Sequence, residues 1–79
     1  MEAFLNYLIP QLVDNKEKVE IIKSDESGLV SFTIRVAKED MGKIIGKEGK
    51  IINSIRNLVK ILAVKEEKRV TVELAEPQE

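Results

Sequence analysis

Gly42-Lys43-Ile44-Ile45-Gly46-Lys47-Glu48-Gly49-Lys50-Ile51-Ile52 is the stretch on which the reading of this chain turns. Three of the chain's four glycines fall within eight residues here, and two of them, Gly46 and Gly49, interrupt an apolar pattern of helical spacing. A glycine inside a helix costs about 1 kcal/mol relative to alanine. A tight turn instead uses its freedom to take positive φ and leaves no Cβ in the way of a ligand. Gly46-Lys47-Glu48-Gly49 therefore reads as a loop between two helices. The first amides of the second helix have no intrahelical partner, and together with the helix dipole they form a site for an anion, phosphate above all. Lys43, Lys47 and Lys50 surround that site. Ile44, Ile45 and Ile52 set an apolar surface beside it; Ile44 reads as core, while Ile45 and Ile52 suit core and groove alike. Phosphates would grip the loop while bases lie over aliphatic side chains. Glu48 opposes this with a negative charge inside the loop, or serves as a helix-capping acid through the dipole.

Working outward, the pattern predicts a short helix over 38–45, with Glu39 and Asp40 in a first turn where the dipole favours acids. A longer helix over 48–64 follows. Ile51, Ile52, Ile55, Leu58, Val59 and Leu62 line one of its faces, and Asn53, Arg56, Asn57 and Lys60 the other. Ile61 flanks the apolar stripe and Val64 lies off it, which is more apolar surface than one buried face needs; a dimer or partner surface accounts for the surplus. Met41 reads as packing. Before these helices, Val30, Phe32, Ile34 and Val36 alternate with Ser31, Thr33 and Arg35, giving a strand with one apolar face. A first strand is predicted over 19–23, and Ser24-Asp25-Glu26-Ser27-Gly28 reads as a polar turn. A last strand covers 70–74. The chain opens on a helix over 2–13 in which Pro10 predicts a kink or a restart, closed by Asp14-Asn15-Lys16. The order is α-β-β-α-α-β, an α+β fold with three helices packed on one face of a three-stranded sheet. Residues 1–75 form a single domain, and 76–79 read as a flexible acidic tail.

Composition narrows the function. Among 79 residues there is no Cys and no His. That excludes a disulfide framework, a zinc–thiolate site, a thiol nucleophile, an imidazole base and a Ser-His triad. No apolar run exceeds four residues, so no membrane span or signal core is expected, and the chain reads as complete and cytoplasmic. The abundant carboxylates suit a solvated surface, and an enzyme is not expected. The net charge of −1 hides an uneven distribution: −2 over 1–37, +4 over 38–69 and −3 over 70–79. A local basic patch can bind a polyanion on an acidic protein.

One phosphate motif fails. A nucleotide-binding P-loop needs four residues between its glycines and then Lys-Ser/Thr; Gly42 and Gly46 have three residues between them, Glu48 follows Lys47, and the loop joins helix to helix. The segment instead closely resembles the signature of the KH-domain family: an aliphatic pair (Ile44-Ile45), G-x-x-G (Gly46-Lys47-Glu48-Gly49), then an aliphatic residue three positions on (Ile52). The extra α-β before the core is similar to the type II KH arrangement, and a short chain that is almost all one such domain resembles the KhpA-like small bacterial RNA-binding proteins. The resemblance covers essentially the whole chain. It implies a type II KH fold that binds about four unpaired nucleotides with the G-x-x-G loop on their backbone. By position, Gly46, Lys47, Glu48 and Gly49 would contact sugar-phosphate. Gly42, Lys43 and Ile45 would line the groove from the first helix, and Ile52 from the second. From the residues alone Lys65-Glu66-Glu67-Lys68-Arg69 is a solvated turn; carried over by position, Lys68 or Arg69 closes the far wall. The implied partners are single-stranded RNA and a second copy or a larger KH-domain protein, in a post-transcriptional regulator or RNA chaperone, with no cofactor, membrane or small-molecule substrate. The other reading is an interaction partner with little RNA binding of its own. Only Phe4, Tyr7 and Phe32 are aromatic and none lies near the loop, which disfavours folds that stack bases on aromatic side chains.

Overall fold

The alternating run of residues 29–35 becomes the central strand. The computed structural model describes residues 2–75; the predicted tail at 76–79 lies outside them. Strand β1 (Glu20–Glu26) pairs antiparallel with β2 (Leu29–Arg35), and β2 pairs parallel with β3 (Arg69–Leu74), in the order β1-β2-β3. Because β2 is flanked on both sides, its inward residues Val30, Phe32 and Ile34 are all buried. The register sets Val30 beside Val70 and Phe32 beside Val72, which aligns the inner faces of the two strands. On the outer face the Thr71 hydroxyl donates to Ser31 Oγ at 3.1 Å.

Three α-helices cover the inner face: α1 (Glu2–Leu12), α2 (Met41–Ile45) and α3 (Lys50–Lys65). Single 3₁₀ turns precede β1 (Lys16–Lys18), open α2 (Lys38–Asp40) and link α2 to α3 (Lys47–Gly49). This is the predicted α-β-β-α-α-β order. The core joins Leu5 and Ile9 of α1, Ile44 of α2, and Ile52, Ile55, Val59 and Ala63 of α3 to the inward valines, Phe32 and Ile34 of the sheet. Burial of each such side chain stabilises the fold by about 1.5–3 kcal/mol. Met41 packs against this cluster, as expected.

Three local expectations are corrected. Residues 24–26 do not form a turn: Ser24, Asp25 and Glu26 pair with Ser31, Val30 and Leu29, and the reversal is the two-residue Ser27-Gly28. Both have positive φ (50° and 83°), as a type I′ hairpin demands. The polar composition misled because β1 is an edge strand, with four charged residues in seven and most of it exposed, a composition that discourages edge-to-edge pairing. Helix α1 runs through Pro10 without a restart and stops at Leu12. Pro10 forfeits the bond to Asn6 O, and the helix ends two residues later. On α3, Ile51 and Leu58 were expected in the buried stripe but are largely exposed, because the sheet needs only the i, i+3, i+7, i+11 row of Ile52, Ile55, Val59 and Ala63.

Candidate nucleic-acid interface

Helix α2 is one and a half turns long, too short to be stable alone, so something must hold it. A buried carboxylate does. Asp40 is fully buried immediately before α2. Its oxygens accept the backbone N–H of Asn15 (3.0 Å) and of Asp14 (3.3 Å), and the side-chain N–H of Asn15 (3.0 Å). Asn15 also donates to Glu39 Oε1 at 3.0 Å, and Lys43 Nζ lies 3.5 Å from Asp40. Burial pushes the Asp40 carboxyl upward. The Asn15 backbone and side-chain donors, the Asp14 N–H and Lys43 more than offset it and bring the pKa to about 2. Sequence reasoning saw in Asp40 only an acid suited to a helix dipole. The acid is a clip that fastens the α1–β1 connection to the base of α2, and the Asp14-Asn15 pair was the only sign of it.

The chain leaves α2 at Gly46, whose N–H closes the helix on Gly42 O at 2.9 Å. Gly46 has φ 75° and ψ 174°, a region open essentially to glycine alone. A Cβ there would lie 2.5 Å from Ile51 Cγ1, so the turn is closed against a side chain as well. Lys47, Glu48 and Gly49 form one 3₁₀ turn, with Gly49 N–H on Gly46 O at 3.2 Å. Glu48 (φ 57°) and Gly49 (φ 74°) are both left-handed. Helix α3 then begins at Lys50 without any side-chain cap. Among the described residues Glu48 makes no side-chain hydrogen bond to α3, and its charge stands beside the positive end of the helix dipole. The predicted helix–loop–helix is present, with the Lys50 N–H taken by Lys47 O in the linking 3₁₀ turn.

The structure brings together Gly42, Lys43, Ile45, Gly46, Lys47, Glu48, Gly49 and Lys50. The surface at Gly42 is open, since an added Cβ would meet nothing within 4 Å. Lys47, Glu48 and Lys50 are exposed, and among the described residues the two lysines make no ion pair. Lys43 differs: its ammonium pairs with Asp14 and with Asp40, and the Asp14 contact above all raises its pKa. Ile45 is half-buried, but Ile52 is buried in the core and offers almost no surface to a groove.

Two positions are set apart. Lys68 and Arg69 lie beyond the other end of α3, about 24 Å from the loop at 1.5 Å per residue. Lys68 borders a separate cleft of about 210 Å³ with Glu2, Lys23 and Phe32. A different groove, of about 280 Å³, lies between the middle of α3 and the outer edge of β3. Arg56, Val59, Lys60, Val70, Val72 and Glu73 line it. Ala75 N–H points to Ile34 O of β2, so the alternate residues Val70, Val72 and Leu74 turn their backbone outward. Arg56 Nε donates to Val72 O there, at 3.1 Å. The sequence reading left Arg56 and Lys60 on a solvated face. Their i, i+4 spacing on the helix that leaves the loop was the available signal. Among the described residues, no group of three or more Asp or Glu is placed to hold a metal ion, and no helix is long and apolar enough to cross a membrane.

Comparison with known proteins agrees with this architecture. The family model described as KhpA/KhpB, KH domain, matches residues 2–74. A protein from Caldanaerobacter subterraneus subsp. tengcongensis named RNA-binding protein KhpA is 49% identical over 74 residues, covering 94% of this chain and 99% of that protein. Proteins of the same name from Clostridium acetobutylicum (40% over 74 residues, 94% and 99%) and Chlamydia pneumoniae (42% over 76 residues, 96% and 97%) are similar over the same extent. No solved structure matches the chain. With the family model spanning nearly every described residue and these relatives matching it end to end, the chain belongs to the KhpA/KhpB KH-domain family.

Proposed function

We propose that this protein binds single-stranded RNA, clamping the sugar-phosphate backbone of about four nucleotides at Gly46-Lys47-Glu48-Gly49, and acts as a post-transcriptional regulator or RNA chaperone. The observation that carries the reading is the loop itself. Its chain reversal uses a glycine-only conformation, two lysines without ion pairs flank it, and the first turn of α3 carries no cap. Backbone amides and lysines so arranged favour phosphate. The names of the relatives support the choice of RNA as the polyanion. Bases would then run from the loop along the groove between α3 and β3, where Arg56 and the outward backbone of Val70 and Val72 supply donors and acceptors. This is binding chemistry, with no catalytic step. Lys68 and Arg69 contribute at most to RNA longer than the clamp holds.

The test is binding of fluorescent single-stranded RNA over a salt series, wild type against Lys47→Asp with Glu48→Asp. The glycines stay, so the fold survives, which circular dichroism checks. Loss of binding by at least about ten-fold is expected, since a phosphate contact becomes a repulsion. Equal binding by both proteins would remove the clamp reading.

A second reading concerns partners. Ile61 and Val64 are 55% and 75% exposed, with Leu58 on the neighbouring turn, a helical face too apolar for solvent alone. On this reading α3 pairs with a second copy or with a larger KH-domain protein, and pairing raises the avidity of a weak single site. Light scattering over a concentration series tests the homodimer: a protein that stays monomeric at high concentration excludes it.

A further inference from the structure

Lys43 stands apart from the other lysines at the loop. Lys47 and Lys50 make no ion pair among the described residues, whereas Lys43 faces two carboxylates, Asp14 and Asp40. One positive charge against two negative ones leaves this spot net negative, beside a helix of one and a half turns whose other end carries the proposed clamp.

The two carboxylates are not equivalent. Asp40 is buried, and its oxygens are taken by the Asp14 and Asn15 amides and the Asn15 side chain; it cannot move without undoing the clip. The Asp14 side chain is 80% exposed, and Lys43 is the partner its carboxylate has. An exposed lysine–carboxylate pair of this kind is weak, so a phosphate can displace the Asp14 side chain. The neighbouring surface is accessible, because Gly42 presents open space and Lys43 itself is 45% exposed.

We propose that Asp14 competes with nucleic-acid phosphate for Lys43, so that Lys43 is held in reserve and Asp14 sets the affinity of the clamp. The proposal rests on the reading of the 46–49 loop as an RNA clamp. Asp40 keeps the lysine stem in position in both states, and only Asp14 changes partner. On binding, the Lys43–Asp14 pair opens, Lys43 meets a phosphate, and Asp14 returns to water. Part of the counterion release that drives phosphate binding is thereby lost to re-solvating and re-neutralising Asp14. The site is weaker, and less dependent on salt, than its lysine count implies.

The experiment is a double-mutant cycle on binding of fluorescent single-stranded RNA over a salt series: wild type, Asp14→Asn, Lys43→Gln and the double variant, with Lys47→Asp alongside. Asparagine keeps the size of Asp14, and the Asp14 backbone N–H to Asp40 is untouched; thermal melts confirm that each variant is folded. Asp14→Asn is expected to bind about three-fold tighter, the scale of one exposed ion pair, with a salt slope steeper by about 0.7. Lys43→Gln alone weakens binding and flattens the salt slope, because a phosphate contact is lost, and in the double variant it abolishes the gain of Asp14→Asn. An unchanged affinity in Asp14→Asn overturns the proposal. So does a gain that persists in full with Lys43→Gln, which would be through-space charge only. If Lys47→Asp destroys binding while Asp14→Asn does nothing, the competition fails and the clamp stands. If Lys47→Asp also leaves binding unchanged, the clamp fails and the competition with it.

Discussion

The two ends of α3 look alike in sequence and do opposite things. Each joins a helix to a chain reversal, each carries lysines, and each sets a glutamate in the left-handed region: Glu48 (φ 57°) before the helix and Glu67 (φ 56°) after it. At the C-terminal end the reversal closes the helix. Glu66 donates to Leu62 O and Ala63 O, Glu67 to Val64 O, and Lys68 to Ala63 O, the paired bonds of a Schellman motif with Glu67 in the usual glycine place. At the N-terminal end a 3₁₀ turn ties the Gly49 N–H to Gly46 O and the Lys50 N–H to Lys47 O, but Gly49 occupies the cap position and, among the described residues, no side-chain cap follows. One end finishes on carbonyls that the reversal satisfies, and the other begins on a first turn that, among the described residues, no side chain caps. The dipole adds to the contrast, favouring anions at the open amides and cations at the carbonyls. On the proposed reading Lys47 and Lys50 would reinforce an anion site, while Lys65 and Lys68 answer the partial negative charge at the C-terminal end of α3.

The sharpest way to break this comparison is Gly46→Ala. The backbone conformation excludes alanine and its Cβ would meet Ile51 at 2.5 Å, so a loss of about 2–3 kcal/mol is expected in urea unfolding. Glu67→Ala keeps a conformation already borne by a non-glycine residue and should shift stability by no more than about 0.5 kcal/mol. If both substitutions cost the same, the loop is an ordinary turn.

Acid should act next, through the open end. The folded-state pKa of Asp40, about 2, lies below the ordinary 3.8. The stability it contributes is thus present above about pH 4 and is lost as pH falls toward 2. Thermal melts of wild type and Asp40→Asn over this range should converge as pH falls. Curves that stay parallel would mean that the clip does not hold as an ionised group.

How much of this was legible follows from the same contrast. The central strand, the last strand, the helix–loop–helix and its glycines were readable, because buried alternation and positive-φ turns leave fixed residue types at fixed spacing. The Asp40 clip was not. Its partners, Asp14 and Asn15, are 26 and 25 residues away in sequence, and a buried carboxylate saturated by backbone amides looks, in one dimension, like any surface acid. The edge strand β1 was half-legible, since an element exposed on both sides carries no periodic signal. Arg56 and the β3 edge escaped notice because the groove joins residues of two elements, Arg56 and Val72 being 16 positions apart. Lys68 and Arg69 drew attention as charges, and charge does not reveal which end of a helix is open.

The lysines sharpen the contrast in binding. Lys47→Ala should flatten the salt dependence of RNA affinity by about 0.7 in log–log slope, the share of one phosphate on a single strand. Lys68→Ala on the same tetranucleotide should leave the slope unchanged. Equal effects would extend the site along the whole of α3.

The smallest expected effect separates conformation from charge. A left-handed non-glycine residue is strained, whereas glycine is not but loses more entropy on folding. The balance predicts that Glu48→Gly and Glu67→Gly each stabilise the protein by about 0.5 kcal/mol. Their chain geometries are nearly the same (φ 57° and 56°), so their stability gains should match in paired urea titrations. RNA affinity should not follow stability. Glu48→Gly also removes a negative charge from the middle of the clamp and should tighten binding about two- to three-fold, by the scale of one exposed charge interaction. Glu67→Gly removes the same charge at the closed end and should leave binding unaltered. A matched gain in stability with an unmatched gain in affinity would show the left-handed glutamates to be structural equals and functional opposites; matched gains in both would place no special role on the open end.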